Sequence, residues 1–344
     1  MPSCKAPWNH IWVENTGKIK PCCVFNGEPY NHYIDPQHAF DSIENREIRK
    51  RMMEGVLPEC EGCEMHKDFQ HFGIEDPAIR TLEISFDNNC NFKCVHCNSK
   101  FSYLWYSEDD ELSLMDFNRT ALYKFENEVE VDVSKLESVK FAGGEPFLSR
   151  RCLEMVRSLP KECTVMFNTN NSIFPVEWMD ALLRLQRVVI IFSIDGVNEV
   201  GEFVRYGYKQ KRQDRNIRKW LQVRSRHPNI QVHVNYCSHA YNALDFHNTE
   251  NHLASVGLTP DVCKISIDNV KEPDYLDLRY FPDETKSMVA EYIHEERILD
   301  WMHSGEFDKS LMMKFLNFTT YLEQRQQLPK DCETIYEQVL SRTI

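Results

Sequence analysis

Short apolar runs alternate with amphipathic stretches of helical period along the middle of the chain. Runs rich in β-branched and aromatic residues predict strands, and apolar residues three or four positions apart predict helices. The predicted strands are residues 81–86, 138–141, 164–168, 188–194, 231–236 and 262–267. The predicted helices lie around residues 149–159, 175–185, 212–225 and 242–256. This order predicts a parallel α/β sheet, either doubly wound or an incomplete barrel, with ligands at the carboxyl ends of the strands.

The two segments on either side of this α/β region have different residue patterns. Residues 1–75 contain many turn residues, short strand-like pieces such as Ile11 to Val13, and one predicted helix near residues 42–54. So few apolar residues make a small core, which usually needs a metal to stabilise it. Residues 282–344 are charged and helical in pattern. We therefore predict an N-terminal metal module (1–75), a sheet domain (76–281) and a C-terminal helical extension (282–344).

Composition and charge narrow the possible partners. The chain carries 53 acidic and 40 basic residues, a formal net charge of -13, which disfavours nucleic acid as the main partner. The N-terminus lacks the apolar core of a signal peptide, and no apolar run is long enough to cross a membrane, so we expect a cytoplasmic protein without a membrane partner. In a reducing compartment, the thirteen cysteines favour metal binding over disulfides.

Three cysteines form a close group directly after the first predicted strand. Cys90, Cys94 and Cys97 have the spacing Cys-x3-Cys-x2-Cys. Three thiolates at this spacing can each bind a different iron of one 4Fe-4S cluster, and the fourth iron then keeps an open position for chemistry. Zinc normally takes four protein ligands, and His96, between two of the cysteines, would strain a tetrahedral site.

This loop, together with a glycine loop after the second strand, resembles the radical S-adenosylmethionine (SAM) enzymes. The second loop reads Phe-Ala-Gly-Gly-Glu-Pro and contains Gly143, Gly144 and Glu145. The resemblance implies a partial (β/α)6 barrel, a SAM-binding 4Fe-4S cluster, and a Glu145 carboxylate that binds the SAM ammonium group. Paired glycines let the backbone approach the ligand. The family often has an aromatic residue or His at the position of His96, which we include among the SAM contacts.

Further segments match the family at later strand ends. Ser-Ile-Asp-Gly at residues 193–196 ends the fourth predicted strand, and Arg205 follows it. The resemblance implies that Ser193 hydrogen-bonds the ribose or methionine part of SAM, and that Arg205 holds its carboxylate. The other SAM contacts that it implies are Asn168, Asp195 and Asn235.

A second group of cysteines lies near the N-terminus: Cys4, Cys22, Cys60 and Cys63. It resembles the twitch module, a shortened SPASM domain, and so implies a second, auxiliary 4Fe-4S cluster. In the family this module usually follows the barrel, whereas here it comes first. Two alternatives stay open: Cys23 in place of Cys22 as a ligand, and a structural zinc in place of the cluster.

The resemblance also implies a reaction. SAM is cleaved reductively to a 5'-deoxyadenosyl radical, which takes a hydrogen atom from a small polar substrate such as a sugar, nucleotide or amino-acid derivative, with oxidation or epimerisation as the outcome. A flavodoxin- or ferredoxin-type protein supplies the electron. The alternatives are a peptide-modifying radical SAM maturase and a non-catalytic metal-binding or electron-transfer protein. The basic stretch from Lys209 to Arg224 is interpreted as a solvated helix face in preference to a site for an anionic substrate.

Overall fold

The computed structural model describes residues 4–30, 35–55, 57–60, 63, 76–108, 131–294 and 296–343. These residues form two compact units. Unit 1 contains the described residues up to Asn89, those from 131 to Asn168, and Pro175–Val189. Unit 2 contains the described residues from Cys90 to 108, Thr169–Phe174, and those from Ile190 onwards. No helix within these ranges is both long and apolar enough to span a membrane.

Both units mix strands and helices. In chain order the strands are β1 (His10–Val13), β2 (Ile19–Lys20), β3 (Thr81–Ile84), β4 (Lys93–Cys94), β5 (Ser138–Phe141), β6 (Thr164–Thr169), β7 (Arg187–Ser193), β8 (Arg205–Tyr206), β9 (Ile230–Ser238) and β10 (Lys264–Asn269). The α-helices are α1 (Ala6–Asn9), α2 (Pro36–Phe40), α3 (Ile43–Glu54), α4 (Arg150–Ser158), α5 (Met179–Leu183), α6 (Asn198–Val204), α7 (Gln210–Arg226), α8 (Phe246–Ser255), α9 (Asp283–Ala290), α10 (Glu296–His303), α11 (Lys309–Glu323) and α12 (Lys330–Thr343).

Unit 1 is built on a mostly parallel sheet in the order β2-β1-β3-β5-β6. β1 is parallel to β3, β3 to β5, and β5 to β6, while β2 is antiparallel to β1. Apolar side chains from neighbouring strands pack on one another: the rings of Phe141 and Phe167 stack with centroids 5.1 Å apart, and Phe147 lies 5.0 Å from Phe167. This stacking fixes the ends of β5 and β6, the strands from which the glycine loop and the next loop leave the sheet.

Unit 2 places the cysteine loop beside a parallel strand pair. β9 and β10 are parallel, and burial alternates along β9 with its side-chain period of two. Helix α11 packs its apolar face on this unit, where the rings of Tyr241 and Phe315 lie 5.2 Å apart. A separate two-stranded ladder, β4 with β8, pairs Cys94 with Arg205. This ladder ties the cysteine loop to the turn after α6.

The predicted α/β class with a mostly parallel sheet is confirmed. The described strands do not close into a complete barrel, in keeping with a partial one. The predicted strands correspond to β3, β5, β6, β7, β9 and β10. Helix α8 begins at Phe246 rather than near residue 242, because the Asn242 side chain instead donates to the backbone oxygens of Asp195 and Cys237 and holds a turn.

The division into three domains stays a prediction. Of the predicted N-terminal module, residues 1–3, 31–34, 56, 61–62 and 64–75 lie outside the described residues. The part that is described is not isolated from the sheet, because Ile11 to Val13 lie in β1, which pairs along its length with β3. The chain after Pro282 forms helices α9 to α12, the last of which ends at Thr343.

Candidate metal and cofactor site

The cysteine loop of unit 2 is compact and largely buried. Cys90 and Cys94 are buried with Phe92 and Tyr208 in one apolar cluster, and Cys97 packs against it. The Cys97 amide donates to the Cys94 carbonyl at 3.0 Å, and the Trp105 indole donates to the same carbonyl at 3.0 Å. The loop is therefore folded so that its three thiols share one sheltered surface.

Burial and mutual charge control the ionisation of these thiols. Burial, followed by the charges of Cys94 and Cys90, raises the pKa of the Cys97 thiol. Burial also raises the pKa of Cys94 to about 11, although the Arg205 guanidinium opposes that rise. Thiols with such pKa values keep their protons at neutral pH until a metal replaces them, so metal binding here releases protons.

Two side chains donate to sulfur atoms of this loop, the positively charged Arg205 and the neutral Asn170. Arg205 Nη1 lies 3.6 Å from Cys94 Sγ, and Asn170 Nδ2 lies 3.7 Å from Cys90 Sγ. Donors to sulfur stabilise the thiolate form and tune an iron-sulfur cluster. Sequence reasoning missed Asn170, because an Asn after a strand is typical of an ordinary turn.

The donor set fits a 4Fe-4S cluster. Among the described residues, no three His, Cys, Asp or Glu side chains surround a single metal-ion position. A cubane does not require that arrangement, because each thiolate binds a different iron atom. Cys90, Cys94 and Cys97 interact through their charges, share an apolar surface and have polar donors to two of the sulfur atoms. Grouped thiols in an apolar setting are what such a cluster needs.

The glycine loop of unit 1 lies against the chain that leads into the cysteine loop. Gly143 and Gly144 have φ angles of +70° and +41°. A Cβ on Gly144 would lie 2.6 Å from the backbone oxygen of Asn89, and one on Gly143 would lie 2.5 Å from Ser85 Oγ. The Glu145 amide donates to the same Asn89 oxygen at 2.8 Å. Both positions therefore require glycine, for conformation and for space.

Glu145 has a structural contact of its own. Its side chain is buried, and Oε1 accepts from the Phe147 amide at 3.3 Å at the start of the 3-10 turn Pro146–Leu148. A carboxylate held in this way is fixed in position before any ligand arrives. Its predicted contact with the SAM ammonium group remains a prediction.

We expect Gly144→Ala to destabilise the protein by about 2 to 4 kcal/mol, because it combines a left-handed backbone with a collision against a backbone oxygen. Gly55→Ala is the matched control, since a Cβ at Gly55 meets nothing within 4 Å. Urea unfolding of both variants measures the difference. Equal stability of the two variants would contradict this description of the loop.

Three predicted SAM contacts form a buried charge cluster within unit 2. Asp195 is fully buried: Oδ2 lies 2.5 Å from Arg205 Nη2 and 3.5 Å from His96 Nε2, and Oδ1 accepts from the Cys237 amide at 2.8 Å. Burial and the nearby Arg205 lower the pKa of His96 to about 3, so its imidazole is neutral. Asp195 and Arg205 therefore form a buried ion pair with the neutral His96 ring beside it, and Arg205 links the pair to Cys94.

The remaining predicted contacts lie on three strands, two of them near a strand end. Ser193 and Asn235 are both half-buried in unit 2, where the Ile194 amide donates to the Asn235 carbonyl at 3.1 Å. This bond brings the end of β7 beside the middle of β9. Asn168 is half-buried near the end of β6 in unit 1. Their roles in SAM binding stay predictions.

The N-terminal cysteines of unit 1 also come together. Burial is the main cause that raises the pKa of Cys22 to about 12, and the charges of Cys4, Cys60 and Cys63 add to it. The same charges of Cys4 and Cys63 act on Cys60, whose pKa burial raises to about 11. The Cys63 amide donates to the Cys60 carbonyl at 3.2 Å and closes a turn. The four predicted ligands are therefore near enough to one another to affect each other's ionisation.

Cys23 has different neighbours. Its thiol interacts with the charges of Glu83 and Lys140, and Glu83 is its side-chain hydrogen-bond partner. Glu83 and Lys140 are themselves paired, with Lys140 Nζ 3.0 Å from Glu83 Oε1. Between the two adjacent cysteines, this environment favours Cys22 as the ligand.

The sequence was compared with protein families and with curated proteins. A family profile described as "Radical SAM superfamily" matches residues 84–237. A "Probable GTP 3',8-cyclase" from Methanocella arvoryzae is 32% identical over 96 residues, and this alignment covers 28% of each protein. The chain thus matches less than a third of the length of that curated relative.

Solved structures are similar at low identity. "Native anSMEcpe with bound AdoMet and Cp18Cys peptide" is 15% identical with a TM-score of 0.38, covering 70% of this chain and 61% of that one. SuiB from Streptococcus suis, bound to S-adenosylmethionine, is 13% identical with a TM-score of 0.38, covering 84% of this chain and 57% of that one.

Proposed function

Since residues 84–237 of this chain belong to the radical SAM superfamily, we propose that the protein binds a 4Fe-4S cluster at Cys90, Cys94 and Cys97 and cleaves SAM reductively. The observation that carries this proposal is the grouping of two buried thiols and one partly buried thiol on one apolar surface, with Arg205 and Asn170 donating to two of the sulfur atoms. Arg205 adds positive charge beside Cys94, which eases the arrival of an electron.

The chain's own residues prepare the site. When bound, the cluster supplies the electron that breaks a carbon-sulfur bond of SAM and yields methionine and a 5'-deoxyadenosyl radical. Phe92, Tyr208 and Trp105 are buried around the loop and keep water from the thiolates. The glycine loop packs closely on Ser85 and Asn89, which fixes the position of Glu145 beside it.

We assign the SAM contacts to two groups. In unit 1, Gly143, Gly144 and Glu145 hold the amino-acid part, and Asn168 is a further contact. In unit 2, Ser193 holds the ribose or methionine part and Asn235 holds the ribose. Arg205, which pairs with Asp195 and donates to Cys94 Sγ, also fixes the position of Cys94. His96, Asp195 and Arg205 are kept as SAM contacts as well, because His96 Nδ1 and Arg205 Nε are buried with no hydrogen-bond partner in the described part of the chain. Isothermal titration of SAM into the reconstituted protein tests this assignment: Ser193→Ala and Asn235→Ala should weaken binding, and unchanged affinity in both would contradict it.

For the substrate we propose a small polar molecule of the nucleotide class. The named activity of the curated relative, a cyclisation of GTP, supports this class among those expected from the sequence. The test adds one class of candidate substrate at a time to the protein with SAM and dithionite and measures the amount of deoxyadenosine formed. The classes are nucleoside triphosphates, sugar phosphates and short peptides. A nucleotide should raise deoxyadenosine above the level formed with SAM alone. Stimulation by peptides and by no nucleotide would contradict the proposal.

We further propose that Cys4, Cys22, Cys60 and Cys63 bind an auxiliary 4Fe-4S cluster. Their mutual charge interactions support a four-thiolate set, and four ligands leave no iron open for substrate, which suits electron transfer or structural support.

For this second site we expect Cys60→Ala to lower the iron content of reconstituted protein from about eight to about four per chain, because one of four ligands is lost. Cys23→Ala is the matched control and should keep all of the iron, since its thiol faces Glu83. Iron, sulfide and zinc analysis distinguishes the outcomes. Iron lost from Cys23→Ala but not from Cys60→Ala, or stoichiometric zinc without auxiliary iron, would contradict the assignment.

A further inference from the structure

Helix α7 carries a charge opposite to that of the chain as a whole. Between residues 209 and 226 Asp214 is the single acidic residue, whereas the formal net charge of the chain is -13. The basic residues of this segment are Lys209, Lys211, Arg212, Arg215, Arg218, Lys219, Arg224 and Arg226. Such a concentration on one helix of an acidic protein creates a local positive potential that attracts anionic partners.

Most of this charge faces solvent on one side. Exposed positions follow the helical period, whereas Ile217 and Trp220 are buried on the opposite side. Lys209 pairs with Glu202, whereas the other exposed basic residues form no ion pair with an acidic side chain in the described part of the chain. We call this surface the α7 basic face, and its members are Lys211, Arg215, Arg218, Lys219 and Arg226.

The buried side of the same helix is connected to Cys90 through residues that contact both. Gln213 Nε2 donates to the Asn170 carbonyl at 2.9 Å, and the Asn170 side chain lies 3.7 Å from Cys90 Sγ. Near the start of the helix, the Arg212 guanidinium lies 5.8 Å from the centre of the Phe92 ring, and the Phe92 amide donates to Cys90 Sγ at 3.4 Å. One helix therefore contacts the cysteine loop on its inner side and presents positive charge on its outer side.

We propose that the α7 basic face is the docking surface for an acidic electron-transfer protein that reduces the cluster at Cys90, Cys94 and Cys97. This inference rests on the proposed function, because reductive SAM cleavage consumes one electron for each SAM. In the step, the flavin hydroquinone anion of a flavodoxin loses one electron and becomes the neutral semiquinone, and the oxidised 4Fe-4S cluster gains that electron.

The position of the face favours this partner over a nucleic acid. An electron donor has to approach the cluster, and the contacts through Asn170 and Phe92 place the helix next to Cys90. A nucleic acid needs no such proximity, and the net charge of -13 opposes a long phosphate backbone.

The test compares two charge reversals of equal size in the reconstituted full chain. The variant Lys211→Glu with Arg218→Glu changes the α7 basic face. The control, Lys309→Glu with Lys314→Glu, changes two exposed lysines of α11 by the same total charge. The rate at which a reduced flavodoxin of net negative charge bleaches the cluster absorbance is measured by stopped flow at low and high salt. Deoxyadenosine formation with dithionite and SAM is measured in parallel.

We expect the α7 variant to be reduced by flavodoxin at least about tenfold more slowly than the control at low salt, with a smaller difference at high salt. Reduction by dithionite and the resulting SAM cleavage should be equal in both variants. Equal flavodoxin rates overturn the docking proposal, as does tight binding of an RNA duplex by the α7 basic face with no change in the flavodoxin rate. Absence of deoxyadenosine with dithionite in the unaltered protein would instead overturn the proposed function.

Discussion

Cys94→Ala is expected to abolish deoxyadenosine formation from SAM, because it removes one of the three thiolates that hold the cluster. Cys94 lies at the centre of the loop, where it pairs with Arg205 in the β4–β8 ladder and receives a hydrogen bond from the same side chain. A cubane with two protein ligands is lost or becomes labile. Iron analysis should show about four irons per chain in place of about eight, while the N-terminal group keeps its own.

The control for this variant is Cys152→Ala. Cys152 is buried in α4 of unit 1 and belongs to neither group of cysteines. Its replacement should leave iron content and deoxyadenosine formation unchanged. If Cys94→Ala retained SAM cleavage, or if both variants lost it equally, the assignment of Cys94 as a cluster ligand would be wrong.

Arg205→Met is expected to lower the free energy of unfolding by about 3 to 5 kcal/mol, because it leaves the charge of Asp195 buried without its partner. The Asp195 carboxylate is fully buried, and its other close contacts, the Cys237 amide and the neutral His96 ring, do not replace a positive charge. Urea unfolding of the protein without metal separates this effect from any effect on cluster binding.

Two comparisons make the stability result specific. Arg150→Met breaks an exposed pair with Glu154 and should cost about 0 to 1 kcal/mol. Adding Asp195→Asn to Arg205→Met removes both charges and should recover part of the loss. A cost for Arg205→Met as small as that for Arg150→Met would show that the buried pair does not stabilise the protein.

Local pattern was sufficient to predict much of the fold. The strands β3, β5, β6, β7, β9 and β10 were found from their apolar runs, since buried strands of a parallel sheet are apolar on both faces. The pairing of β1 with β3 was not predicted, because nothing in the short segment from Ile11 to Val13 specifies a partner strand so far along the chain. Long-range pairing is set by tertiary packing and is not visible in the local period.

For the candidate site, the spacing of the cysteines along the sequence predicted which of them group together, but not which side chains surround them. The spacing of Cys90, Cys94 and Cys97 follows from cluster geometry and is visible in the sequence. The pairing of Arg205 with Asp195 is not visible, because it depends on the two-residue strand β8, which has no sequence signal. The structure adds the contacts of Arg205 with Asp195 and Cys94, and its predicted contact with SAM stays a prediction.

The central claim is that this chain binds a cluster that cleaves SAM. The most direct evidence for this cleavage is the formation of 5'-deoxyadenosine. The measurement is quantitation of 5'-deoxyadenosine and methionine after the anaerobically reconstituted protein is mixed with SAM and dithionite. The account predicts both products in equal amounts, and none when dithionite is left out. A protein that carries its full iron content and still leaves SAM intact, with dithionite and with every candidate substrate, would contradict it.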